Sequence, residues 1–175
     1  MAVYFLVMGV VFPDALSFTE KRETAPFFVT SQEKKSISSN ESFDFIIDTG
    51  ITGGDSDMLI LIIGFPDAKS FDGIKIKSSD FTQSPKFFEV GDEIKTYYPS
   101  DYKIAEYPLL HIFNMPNPIN KKPILQLEIT PENLGEYRIF TKAKSAPFTE
   151  DSIFPKGGNV DEDIEFVEKK VIIVE

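Results

Sequence analysis

Residues 125–143 read LQLEITPENLGEYRIFTKA. The first five alternate: Leu125, Leu127 and Ile129 fall on one side, Gln126 and Glu128 on the other. A period of two is that of a strand with one buried face. Pro131, Asn133 and Gly135 then interrupt the pattern within a few residues, as a turn requires. Alternation resumes with Tyr137, Ile139, Thr141 and Ala143 on one face, and Arg138, Lys142 and Lys144 on the other beside Phe140. The stretch therefore predicts two strands joined at a corner.

The same grammar extends in both directions. Residues 26–30 (PFFVT), 42–48 (SFDFIID) and 73–77 (GIKIK) read as strands, the last with Ile74 and Ile76 inward. Residues 58–65 (MLILIIGF) are continuously apolar, as a central strand covered on both faces is. A further strand is expected within residues 87–98, leading in through Val90-Gly91-Asp92-Glu93-Ile94. Residues 109–113 (LLHIF) and 171–174 (VIIV) complete the set. Helical periodicity never persists for a dozen residues, and 12 Pro and 10 Gly punctuate the chain. About nine strands with frequent turn signals predict an all-β, antiparallel β-sandwich. Residues 31–42, 50–57 and 145–163 read as surface loops, the last two long enough to carry function. A weak echo between residues 26–29 and 85–90 raises a split near residue 84. The first half would then hold only about 65 residues, marginal for its own core, so one domain over residues 18–175 is expected.

The chain has 175 residues, with 18 basic against 28 acidic and a net charge of −10. Such a surface repels phosphates and anionic lipid, which argues against nucleic acid and charged membranes as partners. Only Arg22 and Arg138 supply guanidinium groups. The absence of Cys excludes disulfides, thiolate zinc sites and cysteine nucleophiles, and a single His argues against a His-based metal site. Residues 2–12 (AVYFLVMGVVF) are apolar and uncharged. The run is far shorter than the ~20 residues a bilayer span needs, and suits the core of a signal peptide. Ala15-Leu16-Ser17 offers small residues for cleavage before Phe18, so residues 1–17 are expected to be a leader for export. Its start lacks Lys or Arg, and the competing expectation is a buried strand through Val3, Phe5, Val7 and Val10. Asn40-Glu41-Ser42 is a glycosylation sequon in a polar stretch.

The 125–143 segment resembles the E strand, E–F corner and F strand of immunoglobulin-like and fibronectin-type modules. In those modules a Gly-x-Tyr follows the corner and the tyrosine hydroxyl bonds back to its backbone. The resemblance implies a structural role for Gly135 and Tyr137. It places Ile139 where antibody domains carry a Cys, Phe45 opposite it, and Leu59 or Leu61 in the space of the absent Trp. It also implies an Ig-like sandwich of the kind found in microbial, including archaeal, surface proteins. Another sandwich, such as a jelly roll, stays open.

Site residues are weighed against that frame. His111 lies between Leu110 and Ile112 and reads as a core or interface histidine. Calcium, the one cofactor with candidate ligands, would draw on Asp48, Asp55 and Asp57 or on Asp161, Glu162, Asp163 and Glu165. Tyr97, Tyr98, Tyr102 and Tyr107, with Pro99 and Pro108, form a candidate platform for stacking sugar rings. No G-x-S-x-G, phosphate loop or H-E-x-x-H occurs. A carboxylate pair for glycan hydrolysis is the remaining catalytic alternative. If residues 171–174 form a sheet edge, they could pair with another chain. The expected function is a non-catalytic, exported Ig-like domain with a structural, adhesion or assembly role, whose partners are other surface proteins or glycans.

Overall fold

The computed structural model describes residues 25–32, 34–95, 102–146 and 168–175. The expected leader at residues 1–17, Tyr97, Tyr98, and the acidic run with Asp161 and Asp163 lie outside the described residues. The strands are β1 (Ala25–Gln32), β2 (Ser36–Ile37), β3 (Phe43–Thr52), β4 (Met58–Gly64), β5 (Ile74–Ser79) and β6 (Lys86–Phe88). They continue with β7 (Glu93–Lys95), β8 (Tyr102–Ile104), β9 (Leu109–Asn114), β10 (Ile124–Ile129), β11 (Gly135–Ala146) and β12 (Glu168–Val174). No helix occurs among the described residues.

Two sheets form the sandwich. One runs β1-β3-β10-β5, the other β2-β12-β11-β4-β9-β6, and β7 pairs with β8 as a separate ribbon. Every pairing is antiparallel except that of β2 with the end of β12. Taken in chain order, β1, β3, β4, β5, β10, β11 and β12 correspond to strands A to G. A-B-E-D then faces C-F-G, the arrangement of a constant-type immunoglobulin domain. This order decides between the Ig-like sandwich and the jelly roll. Residues 86–114 are an insertion between D and E, and they extend the second sheet past C with β9 and β6. Strands from both sides of residue 84 interleave in each sheet, β3 with β10 and β4 with β9 and β11.

The alternation read from the sequence becomes the core. Phe43, Phe45, Ile47, Leu125, Leu127 and Ile129 of one sheet meet Leu59, Leu61, Ile63, Leu110, Ile112 and Ile139 of the other in one cluster. Full burial of such side chains contributes about 1.5–3 kcal/mol each. Phe45, Ile139, Leu59 and Leu61 are all fully buried in it.

Several expectations are corrected. The loop expected at 50–57 shrinks to residues 53–57, because β3 continues to Thr52 against β1. Gly50 makes that pairing fit: a Cβ there would come within 2.5 Å of the Phe27 ring. The loop expected at 31–42 holds the end of β1 and all of β2. The strand expected within 87–98 is two, β6 and β7, divided by a turn at Gly91, whose φ is 91°. Of residues 171–174, expected as a sheet edge, Ile173 and Val174 are covered by pairing with Ser36 and Ile37. Phe140 and Lys142, expected outward and exposed, are buried. Ile94, Ala105, Leu109 and Phe140 form a second apolar cluster with Ile62, Phe88 and Tyr107, so the β7–β8 ribbon covers that outer face.

Candidate functional site

Two loops meet at the end of the sandwich where β3 stops and β4 and β10 start. One, residues 53–57, turns through Gly53 and Gly54 at φ 90° and 151°, values a side chain would resist. The other, residues 115–123, opens on a cis Met115–Pro116 bond. A two-way backbone bridge joins them, Ser56 N–H to Asn117 O at 3.0 Å and Asn117 N–H to Ser56 O at 3.1 Å.

Buried polar side chains lock this junction. Asn114 and Asn117 are fully buried, and Ser56 nearly so. Asn114 Nδ2 donates to Asn117 Oδ1 at 2.7 Å, and Asn114 Oδ1 accepts from Thr82 N–H at 3.2 Å. Thr82 Oγ1 accepts from Met115 N–H at 2.8 Å and sits 3.2 Å from Met115 O. Asp55 Oδ1 accepts the Ile119 N–H at 2.7 Å. Thr49 Oγ1 donates to Pro123 O at 2.7 Å and anchors the far end of the loop. Satisfied buried networks of this kind rigidify the backbone they hold. The loop so fixed presents two apolar side chains outward, Met115 at 45% and Ile119 at 42% exposure.

The other sequence-predicted residues disperse. Asp55 is occupied with the Ile119 amide, Asp57 is exposed on the same loop, and Asp48 lies on the outer face of the first sheet. No three His, Asp or Glu side chains converge among the described residues. Tyr102 is placed on β8. Tyr107 packs edge-to-face on Phe140, with ring centroids 6.0 Å apart, in the second cluster. Asn40 is exposed in a turn at φ 61°, and the sequon's Ser42 shares a 2.8 Å hydroxyl bond with Thr130.

The corner residues sit at the opposite end. Gly135 takes φ 105°, and Tyr137 is buried beside Asp67, Thr130 and Glu132. Burial, then the charges of Asp67 and Glu132, push the Tyr137 hydroxyl far above its ordinary value. Burial would raise the Asp67 carboxyl, but Arg138 outweighs it and holds it low. The guanidinium donates at 2.8 and 2.6 Å and the Arg138 amide at 2.8 Å. His111, 8% exposed, faces the Phe88 ring at 4.8 Å. Burial, then the charges of Lys144 and Lys86, lower it from 6.5 to about 4, so it is neutral at pH 7.

Sequence reasoning missed Asn114, Asn117, Ser56 and Thr82. The signal was the run Asn114-Met115-Pro116-Asn117-Pro118-Ile119-Asn120, whose Asn-Pro step marks a turn.

No family model matches the chain, and no curated protein does. Solved structures do show likeness. The CARDB domain of a Pyrococcus furiosus protein, in complex with di-metal ions, is 10% identical with a TM-score of 0.47, over 89% of this chain and 97% of that one. A non-cellulosomal cohesin of the archaeon Archaeoglobus fulgidus is 10% identical with a TM-score of 0.36, over 87% and 91%. A cohesin–dockerin complex of Clostridium thermocellum gives 7% and 0.39, over 85% and 99%. The likeness is one of architecture.

Proposed function

We propose that this chain is a non-catalytic interaction module of a microbial cell surface, and that it engages a protein partner through the tip formed by Met115 and Ile119. The observation that carries the reading is the junction beneath that tip. Two fully buried asparagines, Ser56 and Asp55 fix an exposed apolar loop in one conformation. A prefixed loop loses little conformational entropy on binding, which is the physical advantage of presenting contact residues on a rigid sandwich. Export is supported by the leader-like residues 2–12 and by a sequon that stands exposed at Asn40. No described helix is long and apolar enough to cross a membrane.

The test is fractionation of the native cells followed by rebinding. The chain is expected in the envelope or medium, and purified protein is expected to bind envelopes saturably. A Met115→Glu/Ile119→Glu double variant should lose at least tenfold in affinity while keeping its unfolding midpoint. A cytosolic location, or equal binding by the variant, would contradict the reading.

A further inference from the structure

The two main sheets have four edges, and three are defended. β5 carries Lys75 and Lys77 and a register shift against β10. β6 is three residues long and follows Pro85, and β2 has only two residues. Short length, lysines, proline and irregularity are the devices that keep edges from pairing. β1 carries one of them, Pro26 near its start, and none from Phe27 to Gln32. Its eight residues, APFFVTSQ, contain no charge and pair with β3 in unbroken register from Ala25↔Thr52 to Gln32↔Phe45. No backbone hydrogen bond from the described residues reaches its far side. Val29 stands out from it at 59% exposure.

We propose that β1 pairs antiparallel with β1 of a second copy of this chain, about a two-fold axis through Val29. The two four-stranded sheets become one of eight strands. Directly opposed residues in an antiparallel pair share a face. With the axis at Val29, Val29 meets Val29, Phe27 meets Ser31 and Phe28 meets Thr30, so outward residues oppose outward ones. A strand that pairs with itself sets any charge near its own copy, and β1 is free of charge. The occupant is therefore the chain itself. An edge of eight residues falls in the small-interface class, so the dissociation constant is expected on the order of 0.1 mM. Each copy carries a net charge of −10, so added salt should strengthen the pair.

The proposal deepens the assembly reading above and rests on it for biological meaning, but the two fail separately. A monomer that binds envelopes through residues 115–119 overturns the edge pairing alone. A dimer without envelope binding overturns the loop reading alone. The absence of native cysteine makes the register testable. In the full chain, Val29→Cys should oxidise to a disulfide dimer at least tenfold faster than Ser31→Cys. An equimolar mixture of Phe27→Cys and Ser31→Cys should give the mixed disulfide. In sedimentation equilibrium up to 1 mM, wild type should show reversible dimers and Val29→Lys, an exposed change that leaves the fold intact, none. Equal oxidation of Val29→Cys and Ser31→Cys, a wild type monomeric at 1 mM, or a Val29→Lys variant that still dimerises would each overturn it.

Discussion

His111 is the chain's single imidazole, and falling pH should charge it in the unfolded chain well before the folded one. Free histidine takes its proton near 6.5, whereas burial, with Lys144 and Lys86 nearby, lowers the folded group to about 4. Between those values the unfolded state binds more protons, so stability falls as the pH falls. At 1.36 kcal/mol per pH unit the loss amounts to roughly 3 kcal/mol, complete below about pH 4 and absent above about pH 7. That is a large share of the 5–15 kcal/mol of an ordinary domain. The perturbation is His111→Leu, which keeps an apolar group against the Phe88 ring and removes the titration. Urea unfolding of wild type and variant at half-unit steps from pH 7.5 to 3.5 gives two stability curves. Carboxylates contribute to both and cancel in their difference. The difference should be flat above pH 7 and should move by roughly 3 kcal/mol against wild type by pH 4. The imidazole proton resonances should titrate with a midpoint near 4. Parallel curves, or a midpoint near 6.5, would refute the argument that His111 is held neutral by burial and by the nearby Lys144 and Lys86.

Three further outcomes follow from the packing. Asn117→Ala strips one partner each from Asn114 Nδ2 and Ser56 Oγ, and should cost about 1–3 kcal/mol in urea unfolding while speeding exchange of the Ile119 amide. Asp67→Asn weakens the two-pronged Arg138 contact and should cost about 1–2 kcal/mol at neutral pH. The folded Asp67 carboxyl lies below its free value, so that cost should vanish as the pH drops through the folded value. Gly73→Ala would set a Cβ 2.5 Å from the Thr130 carbonyl oxygen and should cost about 2–3 kcal/mol. Gly50→Ala meets the Phe27 ring instead, which can swing aside, so its midpoint should fall less; the reverse order would contradict the packing.

Much of this fold was legible because a period of two says which face is inside. The segments around Phe45, Leu127 and Ile139 are strands with the faces their alternation assigns, and the apolar runs around Leu61 and Ile112 are the interior strands β4 and β9. β2 was not legible: Ser36 and Ile37 form a strand only because residues 173–174, distant in sequence, lie beside them. Phe140 was misjudged for a similar reason, since an outward strand position reads as exposed until the β7–β8 ribbon joins it in one apolar cluster. The functional end was the least legible. Asparagines in a Pro-rich turn look solvated, and only the bridge between Ser56 and Asn117 shows that these hold two loops together. Asp55, drawn from the sequence as a calcium candidate, spends a carboxylate oxygen on the Ile119 amide.

The most direct test of the account is site-specific photo-crosslinking on intact native cells. The full chain would carry a photoreactive residue at Ile119 or, as a control at the opposite end of the sandwich, at the exposed Asn133. The account predicts a single discrete protein adduct from position 119, weakened by Asp55→Ala, and none from position 133. Adducts of equal yield from both positions, or none from position 119, would contradict the claim that the locked 115–119 loop is the binding surface.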